Sequence, residues 1–537
     1  MNTLQTYTLQ SLLTGSADAF SNRPALSFVD ANPYTYKDVN ILSRKIAAFL
    51  TLHNITKGDK VALLSENKPN WGVVFFSLSW IGAVAVPILT DFHTDEILKI
   101  LKHSESKAIF VSGKQREKLS AIMDEKIKVF DIDDIDLNNI QIDDFIPNST
   151  EESDLASIIY TSGTSGMPKG VMLTNKNIVF NAYQGSKVQE IDSNDRMLSI
   201  LPLSHAYENT IGFLLPLLKG ACVYYLEKPP TVSVLVPALQ KVKPTLILSV
   251  PLVIEKIFKA RIKPKFSKGF MGILYKNTFF RKRLNQAAGK KLYKTFGGKL
   301  KFFGIGGAKL SDETEFFLRE AGFPYAIGYG LTETAPLLAG SNPAQTRFQS
   351  TGTPIFGVEM RINNPDPISG EGEILVKGDN IMPGYFKNAE MTDEVFTEDG
   401  WFRTGDLGTM DKEGYLYIMG RLKNMIVGPN GENIYPEEIE AVINKFDHVL
   451  ESLVLEEKGQ LVALVHFNKE ELELKIQNLK ESAEQLQEHL TEYLKDLKDN
   501  INLKLNKYSK IKLVVQKHEP FERTPTQKIK RYVYKSL

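Results

Sequence analysis

Residues Ile158 to Thr174 read I-I-Y-T-S-G-T-S-G-M-P-K-G-V-M-L-T, a glycine- and hydroxyl-rich turn behind the apolar strand Leu155 to Ile159. Gly163, Gly166 and Gly170 let the backbone turn tightly and present its N–H groups, while Thr161, Ser162, Thr164 and Ser165 add hydroxyl donors around one cation, Lys169. Such a loop suits phosphate oxygens. It is not the common P-loop, which needs Gly-Lys-Ser/Thr in succession, because Lys169 stands between Pro168 and Gly170. A mononucleotide kinase or GTPase is therefore disfavoured. A plain surface turn rich in Ser and Gly is the alternative, and the apolar strand in front of it argues against that.

The elements flanking this turn alternate. Strands Lys60 to Ser65, Val84 to Ile88 and Ala108 to Val111 are separated by helices Trp71 to Ile81 and Asp95 to His103. A second series follows, with strands Arg196 to Ile200, Ala221 to Leu226 and Leu246 to Val250 around helices Thr210 to Lys219 and Thr231 to Lys241. This order predicts an α/β fold with parallel sheets, right-handed crossovers and ligands off the C-terminal strand ends. After Ile355, short strands between Gly-containing turns predict a small, distorted β-barrel or sheet closing a large N-terminal domain, residues 1–420. A small α+β C-terminal domain, 421–537, then carries a hairpin of Val449 to Glu456 and Gln460 to Phe467. Within it Leu472, Ile476, Leu479, Ala483, Leu486, Leu490, Tyr493 and Leu497 fall at heptad spacing, read as amphipathic helices on the small domain rather than a coiled-coil seam.

With 537 residues the chain exceeds one hydrophobic core. A net charge of +1 gives no sign of bulk nucleic-acid binding, and the sole cysteine, Cys222, excludes a disulfide framework or multi-cysteine metal site. A reducing cytoplasm fits best, the N-terminus lacking the basic-then-apolar profile of a signal peptide. No residue between Lys68 and Asp91 is ionisable, long enough to span a bilayer, but Ser77, Ser79, Gly82 and Pro87 divide it into a buried helix and strand. Lys256 to Lys309 contains no Asp or Glu and many bases interleaved with Phe266, Phe270, Met271, Ile273, Leu274, Tyr275, Phe279 and Phe280. A solvated basic face over buried aromatics is the first reading; peripheral contact with an anionic membrane surface, on its inner face, or with an acyl donor is the second. No groove-reading motif supports nucleic acid.

Further motifs follow in order: Gly304 to Leu310 (G-I-G-G-A-K-L), Tyr329-Gly330-Leu331-Thr332-Glu333, Thr404-Gly405-Asp406, Arg421, and Arg523 to Arg531 (R-T-P-T-Q-K-I-K-R). An aromatic face suits adenine stacking, a hydroxyl suits phosphate, and a carboxylate suits Mg²⁺ shared with phosphate oxygens and water. A carboxylate beside a guanidinium suits the hydroxyls of a sugar. With the loop at Ile158 to Thr174, this ordered set resembles the adenylate-forming enzymes, which include acyl-CoA synthetases, peptide-synthetase adenylation domains and luciferases.

The resemblance implies a phosphate role for Thr161, Ser162, Gly163, Thr164, Ser165, Gly166 and Lys169, and an adenine pocket at Gly307, Ala308, Tyr329 and Gly330. It gives Thr332 to phosphate, Glu333 to Mg²⁺, Asp406 and Arg421 to the ribose, and Lys423 to a hinge about which a mobile small domain rotates between two half-reactions. Gly431, Glu432 and Asn433 would approach the pantetheine arm of CoA, and Lys528 would bridge carboxylate and phosphate oxygens. Two positions depart from the family pattern, Lys309 and Gln527 standing where Pro and Gly are usual. His205 either gates the carboxylate pocket or is a structural histidine beside an apolar run.

The implied activity uses ATP, CoA and Mg²⁺: a carboxylic acid attacks the α-phosphorus of ATP, pyrophosphate leaves, and a thiol then displaces AMP. Leu201 to Glu208 (L-P-L-S-H-A-Y-E) and Val250-Pro251 with Glu255-Lys256-Ile257 resemble the long-chain fatty acyl-CoA synthetase branch, and the Phe-Asp-x-Ser of amino-acid activation is missing. A fatty acid is the expected substrate. Loading of a carrier-protein thiol and non-catalytic lipid binding are the alternatives, and oligomeric state is left open.

Overall fold

A computed structural model of the chain describes residues 4, 6–119, 127–137, 140–142, 145–161, 169–266, 269–427, 433–446, 448–457, 459–468, 483–524 and 529–534. The chain groups into two compact units, Met1–Arg361 with Leu375–Arg403 and Met410–Leu416, and Ile362–Ile374 with Thr404–Thr409 and Tyr417–Leu537.

The first unit is built on two seven-stranded sheets. One runs Gly384–Tyr385, Lys169–Thr174, Leu155–Thr161, Val84–Ile88, Lys60–Leu64, Ser106–Val111, Lys128–Asp131. Its last five strands are parallel and its first three antiparallel to their neighbours. The other runs Tyr325–Ile327, Phe302–Ile305, Leu246–Ser249, Arg196–Ser199, Cys222–Tyr225, Pro24–Phe28, Tyr34–Thr35, parallel except for its last pair. Strands such as Val84–Ile88, buried at every position, need the continuous apolar runs seen in the sequence because both faces are covered. After Ile355, where a small, distorted β-barrel or sheet is expected, the strands Val358–Asn363, Gly372–Gly378, Phe402–Met410 and Leu416–Arg421 form a four-stranded sheet; a three-stranded one (Tyr329–Gly330, Leu337–Gly340, Thr353–Pro354) precedes it in sequence.

Helix Pro69–Ile81 is apolar all round and buried accordingly. Trp71 stacks on Phe75, and both meet Phe213 edge-on at 6.2 and 6.3 Å. Gly72 makes this approach possible, since a Cβ there would lie 2.8 Å from the Phe213 ring. The helix stops at Gly82 in the left-handed region, φ 68°, and strand Val84–Ile88 follows. Among the described residues no helix is long and apolar enough to cross a membrane.

The helix expected from Thr210 begins earlier and differently. Tyr207–Leu214 is a π-helix, followed by a short α-helix, Leu215–Leu218. The wider turn accommodates Glu208, fully buried over Gly212, where a Cβ would lie 2.7 Å from the carboxyl carbon. Among the described residues neither carboxyl oxygen finds a partner in hydrogen-bonding geometry. Burial pushes the carboxyl up to about 8, the nearby Ser199 hydroxyl offsetting only part of it.

The basic segment departs from the first reading. Phe266 stacks on Tyr275 at 5.1 Å, but Phe270, Ile273, Phe279 and Phe280, on helices Gly269–Lys276 and Thr278–Thr295, are exposed.

The second unit carries a three-stranded sheet in which Val449–Glu457 and Gln460–Phe467 form the expected hairpin and Leu513–Lys517 adds parallel to the latter. Helices Pro436–Ile443 and Ala483–Lys504 accompany it, and Ile439, Ile443, Val454, Val465, Leu497 and Ile501 make its core. The first heptad positions, Leu472, Ile476 and Leu479, lie outside the described residues.

The buried carboxyl of Glu208 sets a pH dependence. Its folded pKa lies above the ordinary value of 4.5, so its stabilising proton is fully held below that value and lost as pH rises towards about 8. Between those limits the wild-type protein should lose stability relative to Glu208→Gln by no more than about 5 kcal/mol, measured by urea unfolding at a series of pH values; parallel curves would refute it.

Candidate active site

Strand Leu155–Thr161 enters the glycine-rich turn and strand Lys169–Thr174 leaves it, with Thr161 paired opposite Lys169. Ser162, Gly163, Thr164, Ser165 and Gly166 lie outside the described residues, so the flanking strands define where the loop is anchored. Gly170 is enclosed by Ile158, Tyr160 and Phe386; a Cβ there would lie 3.0 to 3.3 Å from their side chains, so little beyond hydrogen fits.

The edge strand Gly384–Tyr385 pairs with Met172 and Val171 on that hairpin. From it the buried Tyr385 donates its hydroxyl to Glu333 Oε1 at 2.9 Å, and the Lys169 ammonium lies 5.4 Å from the centre of its ring. The backbone N–H of Met382 donates to the Glu333 carbonyl at 2.9 Å. One short segment therefore connects two expected site residues far apart in sequence.

Glu333 sits in a short 3₁₀ turn, Thr332–Thr334, that follows strand Tyr329–Gly330. The loop is tightly folded. Leu331 donates its N–H to the Pro336 carbonyl at 3.1 Å, and a Cβ on Gly330 would lie 1.9 Å from that same oxygen. Two fully buried asparagines hold it. Asn380 Nδ2 donates to the carbonyls of Thr334 (2.9 Å) and Leu337 (3.1 Å), and Asn181 pairs with Leu337 through both its amide oxygen and nitrogen.

The expected adenine turn leaves strand Phe302–Ile305 next to the start of this loop, since Ile305 pairs with Ile327 and Gly328 donates to the Ile305 carbonyl. Gly307 is in the left-handed region at φ 84°, and Gly307 and Ala308 are exposed at the strands' C-terminal ends. Tyr207 packs on this turn, its ring 3.1 Å from where a Gly306 Cβ would stand. His205, half-buried, accepts the Tyr207 N–H on Nδ1 at 3.2 Å, which leaves Nε2 to carry the proton of a neutral ring.

Within the second unit, Arg421 Nε lies 2.7 Å from Asp406 Oδ1, the carboxylate being 6% and the guanidinium 43% exposed. Gly405 turns the chain at φ 67°, and the Thr404 hydroxyl donates to the Ile374 carbonyl while accepting the Asp406 N–H. Lys423 is exposed in the 3₁₀ turn Leu422–Asn424, and Asn433 begins a two-residue strand. Gly431, Glu432 and Lys528 lie outside the described residues.

Glu333 fits a magnesium ion. Oε1 is occupied by Tyr385, and a hard cation that keeps water and phosphate oxygens needs one carboxylate rather than a cage. Among the described residues no three His, Cys, Asp or Glu gather as such a cage. Tyr385, Asn181, Asn380 and Tyr207 were not legible as site residues. Tyr385 falls in none of the motifs, and the asparagines act through loop carbonyls that no local pattern reveals.

Gly330→Ala should open the loop that seats Glu333. We expect a loss of roughly 1–3 kcal/mol in urea unfolding together with weakened ATP binding, and an unchanged unfolding midpoint would contradict the crowding at Pro336.

The AMP-binding enzyme family model matches residues 13–386. Among curated relatives, 4-coumarate–CoA ligase 1 of Petroselinum crispum is 30% identical over 444 residues, spanning 76% of this chain and 74% of that protein. A long-chain-fatty-acid–CoA ligase of Mycobacterium bovis is 28% identical over 480 residues, spanning 80% and 76%. The structure of o-succinylbenzoate coenzyme A synthetase from Bacillus subtilis in complex with ATP and magnesium ion aligns at a TM-score of 0.76 and 25% identity, over 97% of this chain and 98% of that one. The chain belongs to the AMP-binding enzyme family, the adenylate-forming enzymes whose motifs it carries in order.

Proposed function

We propose that the protein is an AMP-forming long-chain fatty acid–CoA ligase, with residues 1–420 binding ATP and acyl group and 421–537 carrying the catalytic lysine. The observation that supports it most is the meeting of Lys169, Tyr385 and Glu333 on the strands that flank the phosphate turn and the loop after Tyr329. Carboxylate and triphosphate are both anionic, so the barrier is charge and alignment rather than covalent chemistry. Lys169 and the loop donors take the β- and γ-phosphates, Gly307, Ala308 and Tyr329 take adenine, Thr332 a phosphate oxygen, and Asp406 with Arg421 the ribose. A magnesium ion held by Glu333 would neutralise charge on departing pyrophosphate. Lys528 bridges the substrate carboxylate and α-phosphate in the first step. The small domain then turns about Lys423, bringing Gly431, Glu432 and Asn433 to the CoA arm for thioester formation, with His205 at the carboxylate gate.

An apolar acid is supported by the resemblance of Leu201 to Glu208 and of Val250 to Ile257 to the fatty acyl branch, and by the 28% identity to a long-chain-fatty-acid–CoA ligase. Each methylene taken from water is worth ~0.8 kcal/mol, so kcat/KM for AMP release should climb roughly two- to fourfold per carbon until the pocket is full. A ladder of saturated fatty acids with CoA tests this. A flat ladder, or preference for an aromatic acid such as 4-coumarate, would reject the long-chain substrate; acyl transfer to carrier protein but not CoA would reject the acceptor. Lys528→Ala should abolish adenylate formation and spare thioester formation from supplied acyl-AMP.

We also propose that the exposed basic face seats the enzyme on anionic lipid. Phe270, Ile273, Phe279 and Phe280 are 72%, 68%, 62% and 44% exposed, with Lys276, Lys282, Arg283, Lys290 and Lys291 exposed beside them. The opposite side is tied down: Arg281 and Asn285 bond Glu320, and Asn285 also holds the Tyr275 hydroxyl. Apolar side chains ringed by cations complement an anionic headgroup layer, whereas a second copy of the same face would set cation against cation. The full chain should sediment with vesicles of phosphatidylcholine and phosphatidylglycerol at about three to one, several-fold more than with phosphatidylcholine alone, and lose this on Phe270→Ser with Phe279→Ser. Equal sedimentation of variant and wild type, or binding of duplex DNA in preference to vesicles, would overturn the proposal.

A further inference from the structure

Tyr385 lies outside every motif that carries the family resemblance, yet the structure gives it two polar duties at once. Its hydroxyl donates to Glu333 Oε1 at 2.9 Å and its ring faces the Lys169 ammonium at 5.4 Å. A phenol suits both, since the O–H is a directional donor to a carboxylate while the ring face carries the negative side of its quadrupole towards a cation.

The backbone behind the ring is fixed on both edges. Tyr385 donates its N–H to the Thr392 hydroxyl at 2.9 Å, and that hydroxyl bonds on to the Asn388 carbonyl at 2.8 Å. Phe386 donates to the Gly170 carbonyl at 2.8 Å, one residue beyond Lys169. Gly384 is required here, because at φ 153° a side chain would meet Thr392 at 2.7 Å. The ring is therefore held by the same strand pair that ends the phosphate loop. With the Met382 N–H on the Glu333 carbonyl, the segment from Met382 to Tyr385 sets both the backbone and the carboxylate of that residue.

We infer that Tyr385 is a positioning residue that holds the Glu333 carboxylate and the Lys169 ammonium in place for a metal–triphosphate. This rests on the reading of Glu333 as a magnesium ligand. Loss of the hydroxyl leaves Glu333 free to rotate and lowers affinity for the metal–nucleotide, while a nucleotide that brings no metal is unaffected. Partners that orient a ligating carboxylate change metal affinity in this way without touching the metal themselves.

The test uses the full-length protein with Mn²⁺ as a spectroscopic substitute, measuring Mn²⁺–ATP binding by electron paramagnetic resonance and metal-free AMP binding by calorimetry. Tyr385→Phe, which keeps the ring, should weaken Mn²⁺–ATP roughly tenfold and leave AMP within about twofold, with ATP turnover recovering at raised Mg²⁺. Tyr385→Leu should weaken it further by removing the face opposite Lys169. In a Glu333→Gln background, Tyr385→Phe should add no further loss of Mn²⁺–ATP affinity, which separates positioning from general destabilisation. Unchanged Mn²⁺–ATP binding, an equal loss for AMP, or full additivity with Glu333→Gln would overturn the inference. Failure of the wild-type protein to bind Mn²⁺–ATP would instead overturn the reading of Glu333 on which it stands.

Discussion

The loop from Leu331 to Leu337 keeps its shape because two buried side-chain amides reach it from opposite directions in the sequence. Asn181 comes from helix Asn175–Val188 and Asn380 from the segment after strand Gly372–Gly378, and both bond the Leu337 carbonyl. A buried carbonyl without a partner costs more than an ordinary hydrogen bond gains, so these contacts tie the loop to two other parts of the fold. Glu333, Tyr385 and the exit strand of the phosphate turn are arranged around that anchored loop.

A second constraint comes from the sheets. Parallel strands end with their loops on one edge, and there Gly307, Ala308, Gly328, His205 and Tyr207 are gathered although more than a hundred residues separate the extremes. The glycines at 304 and 306 serve packing as much as turning. Gly306 lies under the Tyr207 ring and Gly304 beside its hydroxyl, so the connector that bears His205 is registered against the turn that precedes Tyr329.

The alternation of apolar runs and amphipathic helices made the parallel sheets legible, because a strand buried on both faces admits few polar residues. The hairpin of the second unit was equally plain from its Val- and Leu-rich strands. Less legible was Tyr207–Leu214, where a π-helix replaces the start of the expected α-helix and a carboxyl packs on Gly212, a contact that periodicity does not encode. Exposure of Phe270 and Phe279 also escaped the pattern, since an aromatic in an amphipathic helix reads as buried until the neighbouring element is known to lie elsewhere. The pairing of Arg421 with Asp406 was anticipated as chemistry, but the near-complete burial of the carboxylate was not. Tyr385 was hidden because its two partners are supplied by distant segments.

The interlocked helix Pro69–Ile81 has a consequence for biosynthesis. Its aromatic face is completed by Phe213, and the early strand Pro24–Phe28 finds its parallel neighbour only in Cys222–Tyr225. At about 5–20 residues per second, a ribosome leaves that apolar surface and strand edge without their native cover for roughly seven to forty seconds. Those early apolar elements are therefore the part of the nascent chain most exposed to aggregation before the second half of the sheet arrives.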